Sequence, residues 1–472
     1  MQQLIPDPKR WAALALLCAA QFIVILDTSI IGVALPAIQT DLGFSASGLS
    51  WIFNAYVIAF GGLLLLGGRL GDLLGARRIF TIGFAILTSA SLLAGLAQSQ
   101  EVLLTGRALQ GVGAALIAPA ALTIVMRLFG HDGAELGKAF GFWGAAAAAG
   151  GSAGVFLGGV ITEWMTWPWT FLINVPLGLL VLALIPAVLR KSPRSIGTVD
   201  WFGAISVTGA LVSLVYAIVT IEPTGVGSSQ ALALLGVSAA LFIAFLIGQS
   251  VRREPLLPLG IFKAPNLAPG NLVMALLGAA WIPLWFFLNL YLQEIMGLSA
   301  LASGLALLPM TITIMIVMVG FAGKLIGRFG VKPILVLGLL LMCGALLMFA
   351  NLPLDGSFVA NVLPASLLAA LGMALAYIPI TMTGMAGAKP EETGLASGLI
   401  NTTYQIGSAV GLAIMVAFST SNSGYDTGQT TEGMFAGFQV AFLGASVAAG
   451  LAALVTLIFV RSIDPQREAS VG

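Results

Sequence analysis

Across 472 residues, 59% are apolar types and only 8% are charged, with a mean hydropathy of +1.04, a balance outside the range of water-soluble domains. The net charge of +1 offers no electrostatic footprint for nucleic acid, and no nucleic-acid partner is expected. A single histidine, His131, and two cysteines inside apolar runs, Cys18 and Cys343, argue against a zinc centre, a histidine-based triad and a disulfide framework, so neither a metal nor a cofactor is expected.

A spanning helix needs about 20 mostly apolar residues, and fourteen stretches reach that length: 11–38, 51–70, 78–97, 102–129, 137–161, 169–189, 199–221, 230–249, 267–292, 301–323, 333–350, 358–382, 394–419 and 434–460. The first is too long for a signal-peptide core and lacks a small-residue cleavage site, so it reads as a permanent span. Every Lys and Arg except Arg107 then falls in loops or helix ends on the side of the two termini. Basic residues accumulate in cytoplasmic loops, which predicts a multi-pass protein of the plasma (inner) membrane with both termini in the cytoplasm. Asp41, Glu163, Glu222, Asp355, Asp426 and Glu432 fall on the other side.

In the first span, Asp27 lies about 24 Å from the terminal end at about 1.5 Å per residue, beyond the midplane. A carboxylate within a span costs about 2.5–3.5 kcal/mol on insertion scales, which points to a function. Its protonation becomes sensitive to the side from which water enters, as a proton-coupled step requires. The alternative is a carboxylate neutralised by a fixed partner that only orients helices.

After the second span the chain reads Gly68-Arg69-Leu70-Gly71-Asp72-Leu73-Leu74-Gly75-Ala76-Arg77-Arg78. Gly68, Asp72, Gly75, Arg77 and Arg78 are expected to form a conformational latch, a helix-end carboxylate and guanidinium groups holding two bundles together in one state. The alternative is a solvated basic loop that only sets topology. In the fourth span Arg107 enters from the far end to a depth of about 9 Å, level with Asp27, so the two are expected to communicate. Gln110, three residues on, would relay hydrogen bonds. A snorkelling arginine anchoring the interface is the alternative for Arg107.

The fifth span carries Gly150, Gly154, Gly158 and Gly159, small residues that let helices pack closely and gate. After the tenth span, Gly323-Lys324-Leu325-Ile326-Gly327-Arg328-Phe329-Gly330-Val331-Lys332 repeats the glycine-punctuated basic pattern. The spacing fits two six-helix bundles, 1–195 and 256–472, joined by two linker transmembrane helices at 196–255. Polar and aromatic residues in mid-span are candidates for a substrate cavity: Gln21, Asn54, Tyr56, Trp143, Asn174, Trp281, Trp285, Asn289, Tyr377, Asn401 and Gln405. Apolar walls with a few polar groups are what a pocket for hydrophobic organic molecules requires. Glu294, at the far end of the ninth span, reads as a wet loop residue, with a second proton site as the alternative.

These stretches resemble the major facilitator superfamily, and within it the fourteen-helix branch of drug and proton antiporters, over nearly the whole chain. The 68–78 stretch is similar to the superfamily's motif after the second helix. Arg107-Ala108-Leu109-Gln110-Gly111-Val112-Gly113 resembles the fourth-helix motif, whose arginine the family associates with proton transfer. Leu26-Asp27-Thr28-Ser29-Ile30-Ile31-Gly32-Val33-Ala34-Leu35-Pro36 resembles the first-helix motif of the branch. Phe171-Leu172-Ile173-Asn174-Val175-Pro176, Val199-Asp200-Trp201-Phe202-Gly203 and Gly394-Leu395-Ala396-Ser397-Gly398-Leu399-Ile400-Asn401-Thr402 resemble further hallmarks. The chain departs from the pattern at Val155, where the fifth-helix antiporter motif has proline, and at Gly32, Pro168 and Tyr404, which replace an asparagine and two arginines.

The resemblance implies an all-α membrane protein of major-facilitator fold, two six-helix bundles plus two additional helices. It implies a secondary transporter rather than an enzyme, exporting hydrophobic or amphipathic small molecules in exchange for protons. Asp27, Arg107 and Gln110 would be its proton-coupling residues. Val155 keeps a proton-coupled importer or facilitator on the same fold as the alternative. The sequence has no clustered nucleophile and base, metal-ligand set or charged filter, which disfavours a membrane enzyme or channel. It also lacks a glycine-rich phosphate loop ending in Lys-Ser or Lys-Thr. The expected partners are a small-molecule substrate, protons and the lipid bilayer. The sequence sets no oligomeric state, and a monomer suffices.

Overall fold

The computed structural model describes residues 8–129, 133–192, 197–224, 228–385, 393–423 and 431–462; His131, Arg194, Lys389, Asp426 and Arg467 lie outside them. Among the described residues fourteen helices are long and apolar enough to cross a membrane. They are α1 Arg10–Leu42, α2 Ala46–Leu74, α3 Ala76–Gly95, α4 Gln100–Phe129, α5 Lys138–Trp164, α6 Trp169–Val188 and α7 Trp201–Thr220. The rest are α8 Ser229–Val251, α9 Leu267–Ile295, α10 Ala300–Phe329, α11 Val331–Ala350, α12 Phe358–Met385, α13 Leu395–Ser421 and α14 Thr431–Phe459. The described residues contain no strand, as a lipid-exposed backbone that must satisfy its own hydrogen bonds dictates.

Several helices run a turn past their apolar stretch, because the backbone ladder continues into the interface until a cap ends it. At α2 the hydroxyl of Ser45 accepts the Gly48 N–H at 3.0 Å, starting the helix five residues before the apolar run at Trp51. The expected basic loop between α2 and α3 is a single residue. Gly68 to Leu74 belong to α2, Ala76 opens α3, and Gly75 makes the turn at φ 93°. Gly330 does the same between α10 and α11 at φ 86°. A side chain at such a φ is strained, so glycine is required at the same place in both repeats.

Helix packing repeats with them. In the first half α1 lies on α5, while α2 and α3 both lie on α4; in the second half α9 lies on α13, while α10 and α11 lie on α12. The halves meet along α2–α13 and α5–α10, which exchange under the same correspondence. The pair α7–α8 stands apart from this symmetry. Helix α7 packs against both α2 and α13, across the seam, and α8 packs mainly on α7 with Phe242, Ile243 and Ile247 exposed as a lipid-facing surface.

Candidate functional site

Two polar residues expected to communicate lie in direct contact within the first half. Asp27 of α1 and Arg107 of α4 are 1% and 0% exposed, and Arg107 Nη1 donates to Asp27 Oδ2 at 2.8 Å. The same Nη1 donates to Gln110 Oε1 at 2.9 Å, and Arg107 Nε to the Ile52 carbonyl at 2.9 Å. Asp27 Oδ1 accepts from Gln110 Nε2 at 2.7 Å and from Asn174 Nδ2 of α6 at 2.6 Å. Gln110 Nε2 also reaches Ser91 Oγ on α3 at 2.9 Å. The guanidinium lies 4.5 Å from the centre of the Tyr56 ring of α2, a cation–π contact. Five helices thus converge on one ion pair sealed from solvent.

Small residues make that convergence possible. On α5, Gly150, Gly154 and Gly158 form an i, i+4, i+8 stripe against α1; a Cβ would stand 2.6 Å from the Phe22 carbonyl at Gly150 and 2.7 Å from the Ile30 carbonyl at Gly158. That stripe flanks Asp27. Gly159 turns instead to α10, where a Cβ would stand 2.9 Å from the Ala300 carbonyl. The start of α6 is pinned by Trp167 Nε1, which donates to Asp41 Oδ2 at 2.7 Å. The helix then runs on through Ile173, at helical φ −59° and ψ −29°, and presents Asn174 to Asp27.

The halves interlock at the end opposite the termini. Gln293 Nε2 donates to the Val33 carbonyl at 3.0 Å, and the Leu301 N–H to Glu163 Oε2 at 3.3 Å. Phe53 meets Phe286 edge to face at 6.1 Å. Gly32 proves to be a matter of space: a Cβ there would lie 2.8 Å from Nδ2 of Asn289, so glycine on α1 makes room for an amide from α9.

The candidate cavity residues divide into groups. Gln21, Trp143, Trp285, Tyr377, Asn401 and Gln405 are half-buried, and Trp285 and Tyr377 meet Trp281 and Tyr404 as edge-to-face pairs at 6.0 Å. Asn54, Tyr56 and Asn174 are fully buried. The sequence reading sets Tyr56 and Asn174 on a cavity wall; they lie instead against the Arg107–Asp27 pair, inside the first half. Asn289, 1% exposed, belongs to the seam. Ser91 escaped the sequence reading, since a serine in a span carries no signal until Gln110 is placed beside it.

The residues expected to form the latch lie in different settings. Asp72 lies in the fields of Arg127 of α4 and of Arg69, whereas the N–H of Arg77 donates to Ser192 Oγ at 3.1 Å and Arg78 is exposed. Arg69 binds the linkers on either side of α7–α8, donating to Glu254 Oε2 at 2.8 Å and to the Thr198 carbonyl at 3.2 Å. The Thr198 N–H and hydroxyl donate to Glu254 at 2.7 and 2.9 Å. These bonds, with the arginine, hold Glu254 below the usual carboxylate range. Asp200 accepts from the Gly203 N–H and from Gln249 Nε2, both at 2.8 Å, tying the base of α7 to α8.

Residues 17–412 match the family model for the Major Facilitator Superfamily. The chain is 35% identical to the puromycin resistance protein pur8 of Streptomyces alboniger, over 98% of this chain and 93% of the relative. It is 37% identical to the cephamycin export protein CmcT of Amycolatopsis lactamdurans, over 87% of this chain and 85% of the relative. It is also similar to the tetracenomycin C resistance and export protein of Streptomyces glaucescens, at 33% identity over 88% and 77%. In fold it is similar to the nucleoside transporter NupG, with a TM-score of 0.68 at 13% identity, covering 96% of this chain and all of the other.

Proposed function

The chain belongs to the major facilitator superfamily, and we propose that this multi-pass membrane transporter expels hydrophobic or amphipathic antibiotic-like molecules in exchange for protons. Three relatives named for resistance or export, one for puromycin, one for cephamycin and one for tetracenomycin C, support the substrate class and the direction. The basic residues at the terminal end support a cytoplasmic placement of both termini in the plasma membrane. The half-buried aromatic and amide side chains of α9, α12 and α13, among them Trp285, Tyr377 and Asn401, supply the wall for such a substrate.

The single observation that carries the coupling is the sealed Asp27–Arg107 pair. With Asp27 ionised the pair is neutral and its hydrogen bonds are made. A proton arriving at Asp27 cancels the carboxylate and leaves the guanidinium uncompensated in a medium of low dielectric, where a lone charge is strongly disfavoured. The helices carrying Arg107 must then repack until it meets water or a new partner. Protonation therefore biases one arrangement of the halves and deprotonation the other. One proton moving down about 100 mV supplies about 2.3 kcal/mol, which needs no nucleotide. The two halves, 1–195 and 256–472, would rock about their seam, with 196–255 riding on it.

The test is drug uptake into energised inside-out vesicles, wild type against Asp27→Asn. Uptake that collapses with the proton gradient, and in the variant, is expected. Gradient-independent movement would make the protein a facilitator, and full activity in the variant would remove Asp27 from the coupling.

A further inference from the structure

A carboxylate and a carboxylic acid make opposite demands on their surroundings: the first only accepts hydrogen bonds, and the second must also donate one. Everything that touches Asp27 here donates. Oδ2 accepts from Arg107, and Oδ1 accepts from Gln110 and Asn174. A proton added to Oδ1 would point at two NH₂ groups, in a buried site where an unmet O–H is costly. Among the described residues, the titratable groups facing Asp27 are Arg107 from α4 and Tyr56 from α2. Arginine has no acceptor to offer.

The two amides differ in their freedom to supply one. Gln110 is pinned at both ends, since Oε1 accepts from Arg107 Nη1 and Nε2 also donates to Ser91 Oγ. Inverting its amide would set NH₂ against the guanidinium. Ser91 Oγ in turn donates to the Leu87 carbonyl at 2.7 Å. Asn174 makes one hydrogen bond, to Asp27, and its Oδ1 is buried without a partner. A half-turn of this amide exchanges Nδ2 for Oδ1 and breaks no other hydrogen bond.

We infer that Asn174 is an amide toggle for proton coupling: it donates Nδ2 to ionised Asp27 and, inverted, accepts through Oδ1 the O–H of protonated Asp27. The inference rests on the proton-coupled reading of Asp27 and adds a positioning residue to it. The proton comes from water and forms one O–H bond on the carboxylate; Asn174 gains and loses none. The toggle lets Asp27 be neutral inside the same shell, so that protonation is completed before the helices separate. The partnerless Oδ1 is the acceptor held in reserve.

The test is the pH profile of gradient-driven export in vesicles, comparing wild type with Asn174→Leu, which keeps the branching of the side chain and removes both hydrogen-bonding atoms, and with Asn174→Ala. Export persists in both, with the midpoint of the profile raised by less than about one pH unit, the scale of one hydrogen bond to a charged group, because the bond lost to the ionised carboxylate is offset by the bond lost to the protonated one. A midpoint raised by the full unit would overturn the toggle. A second readout uses the unmodified protein. Infrared difference spectra across the titration should show a side-chain amide carbonyl band shifting together with the protonated-carboxyl band, with the paired shift absent in Asn174→Leu. A carboxyl band that titrates with no amide change would also overturn it. Asp27→Asn separates the two levels: full export with the wild-type pH profile there removes the coupling reading itself, whereas loss of export there with the midpoint raised by a full unit in Asn174→Leu removes only the toggle.

Discussion

The two halves share a helical plan and differ in what they place at its centre. The spacing between the Gly75 and Gly330 turns carries α3 onto α11 end to end, and carries Asp27 onto Ile282, Arg107 onto Val362, Gln110 onto Ala365 and Ser91 onto Leu346. Val362, Ala365 and Leu346 are as fully buried as their polar counterparts. One repeat therefore closes its core with hydrocarbon and the other with an ion pair and amides. A hydrocarbon core stays the same whatever the pH, whereas the ion pair has two states of charge. The fold does not require the charges, and their presence in this position of one half only is what supports the proposal that the proton step belongs to that half.

Breaking the ion pair on one side should have the largest effect. Arg107→Leu leaves a buried carboxylate without its cation and is expected to cost about 3–5 kcal/mol, seen as a fall in the thermal unfolding temperature in detergent. The double substitution Asp27→Leu with Arg107→Leu should regain most of that stability and none of the export. In the second half, Val362→Ala should cost no more than about 0.5–3 kcal/mol and leave the pH response of export intact. A pH response altered by Val362→Ala would contradict the division of labour.

Next in size are the close approaches. Gly154→Val on α5 drives a side chain into Ser29 beside Asp27, where a Cβ already stands 2.7 Å away; overpacking of this kind costs about 1–3 kcal/mol. It should also slow export, because it separates α1 from α5 at the level of the site. Smaller still, Gly75→Ala and Gly330→Ala should each cost about 1–2 kcal/mol for the positive φ, and by equal amounts. Unequal losses would show that the turns are not equivalent.

How much of this was legible in the sequence follows from the range of each interaction. Spans are a property of about 20 consecutive residues, so all fourteen are found. Asp27, Arg107 and Gln110 stand out as polar residues where hydrocarbon is expected, and their meeting follows from matching depth. Asn174 is as polar, yet an amide in mid-span reads equally as cavity wall or core. Only the packing of α6 on α1, which brings Asn174 to Asp27, settles it. Asp72 was matched with the arginines beside it in sequence, while the fold brings up Arg127, 55 residues on. A run of two linker spans was readable; their seat across the α2–α13 seam was not, since nothing in the sequence of α7 names its neighbours.

The smallest expected effect concerns that seat. Glu254 lies below its ordinary range in the fold, so its bonds to Thr198 and Arg69 contribute fully above the ordinary glutamate value of about 4.3 and are lost as pH falls through the lower folded value. Glu254→Gln should lower stability slightly at neutral pH and leave the acid end nearly unchanged, which flattens the acid limb of the stability profile. A loss confined to acid pH would refute that account of the clasp.

The most direct measurement is proton release from the purified transporter in weakly buffered detergent solution on addition of a transported drug. Wild type should release protons with a pH dependence that Val362→Ala preserves, and Asp27→Asn should release none. Equal release from Asp27→Asn would place the proton elsewhere and contradict the claim that the sealed pair in the first half carries the proton exchanged for substrate.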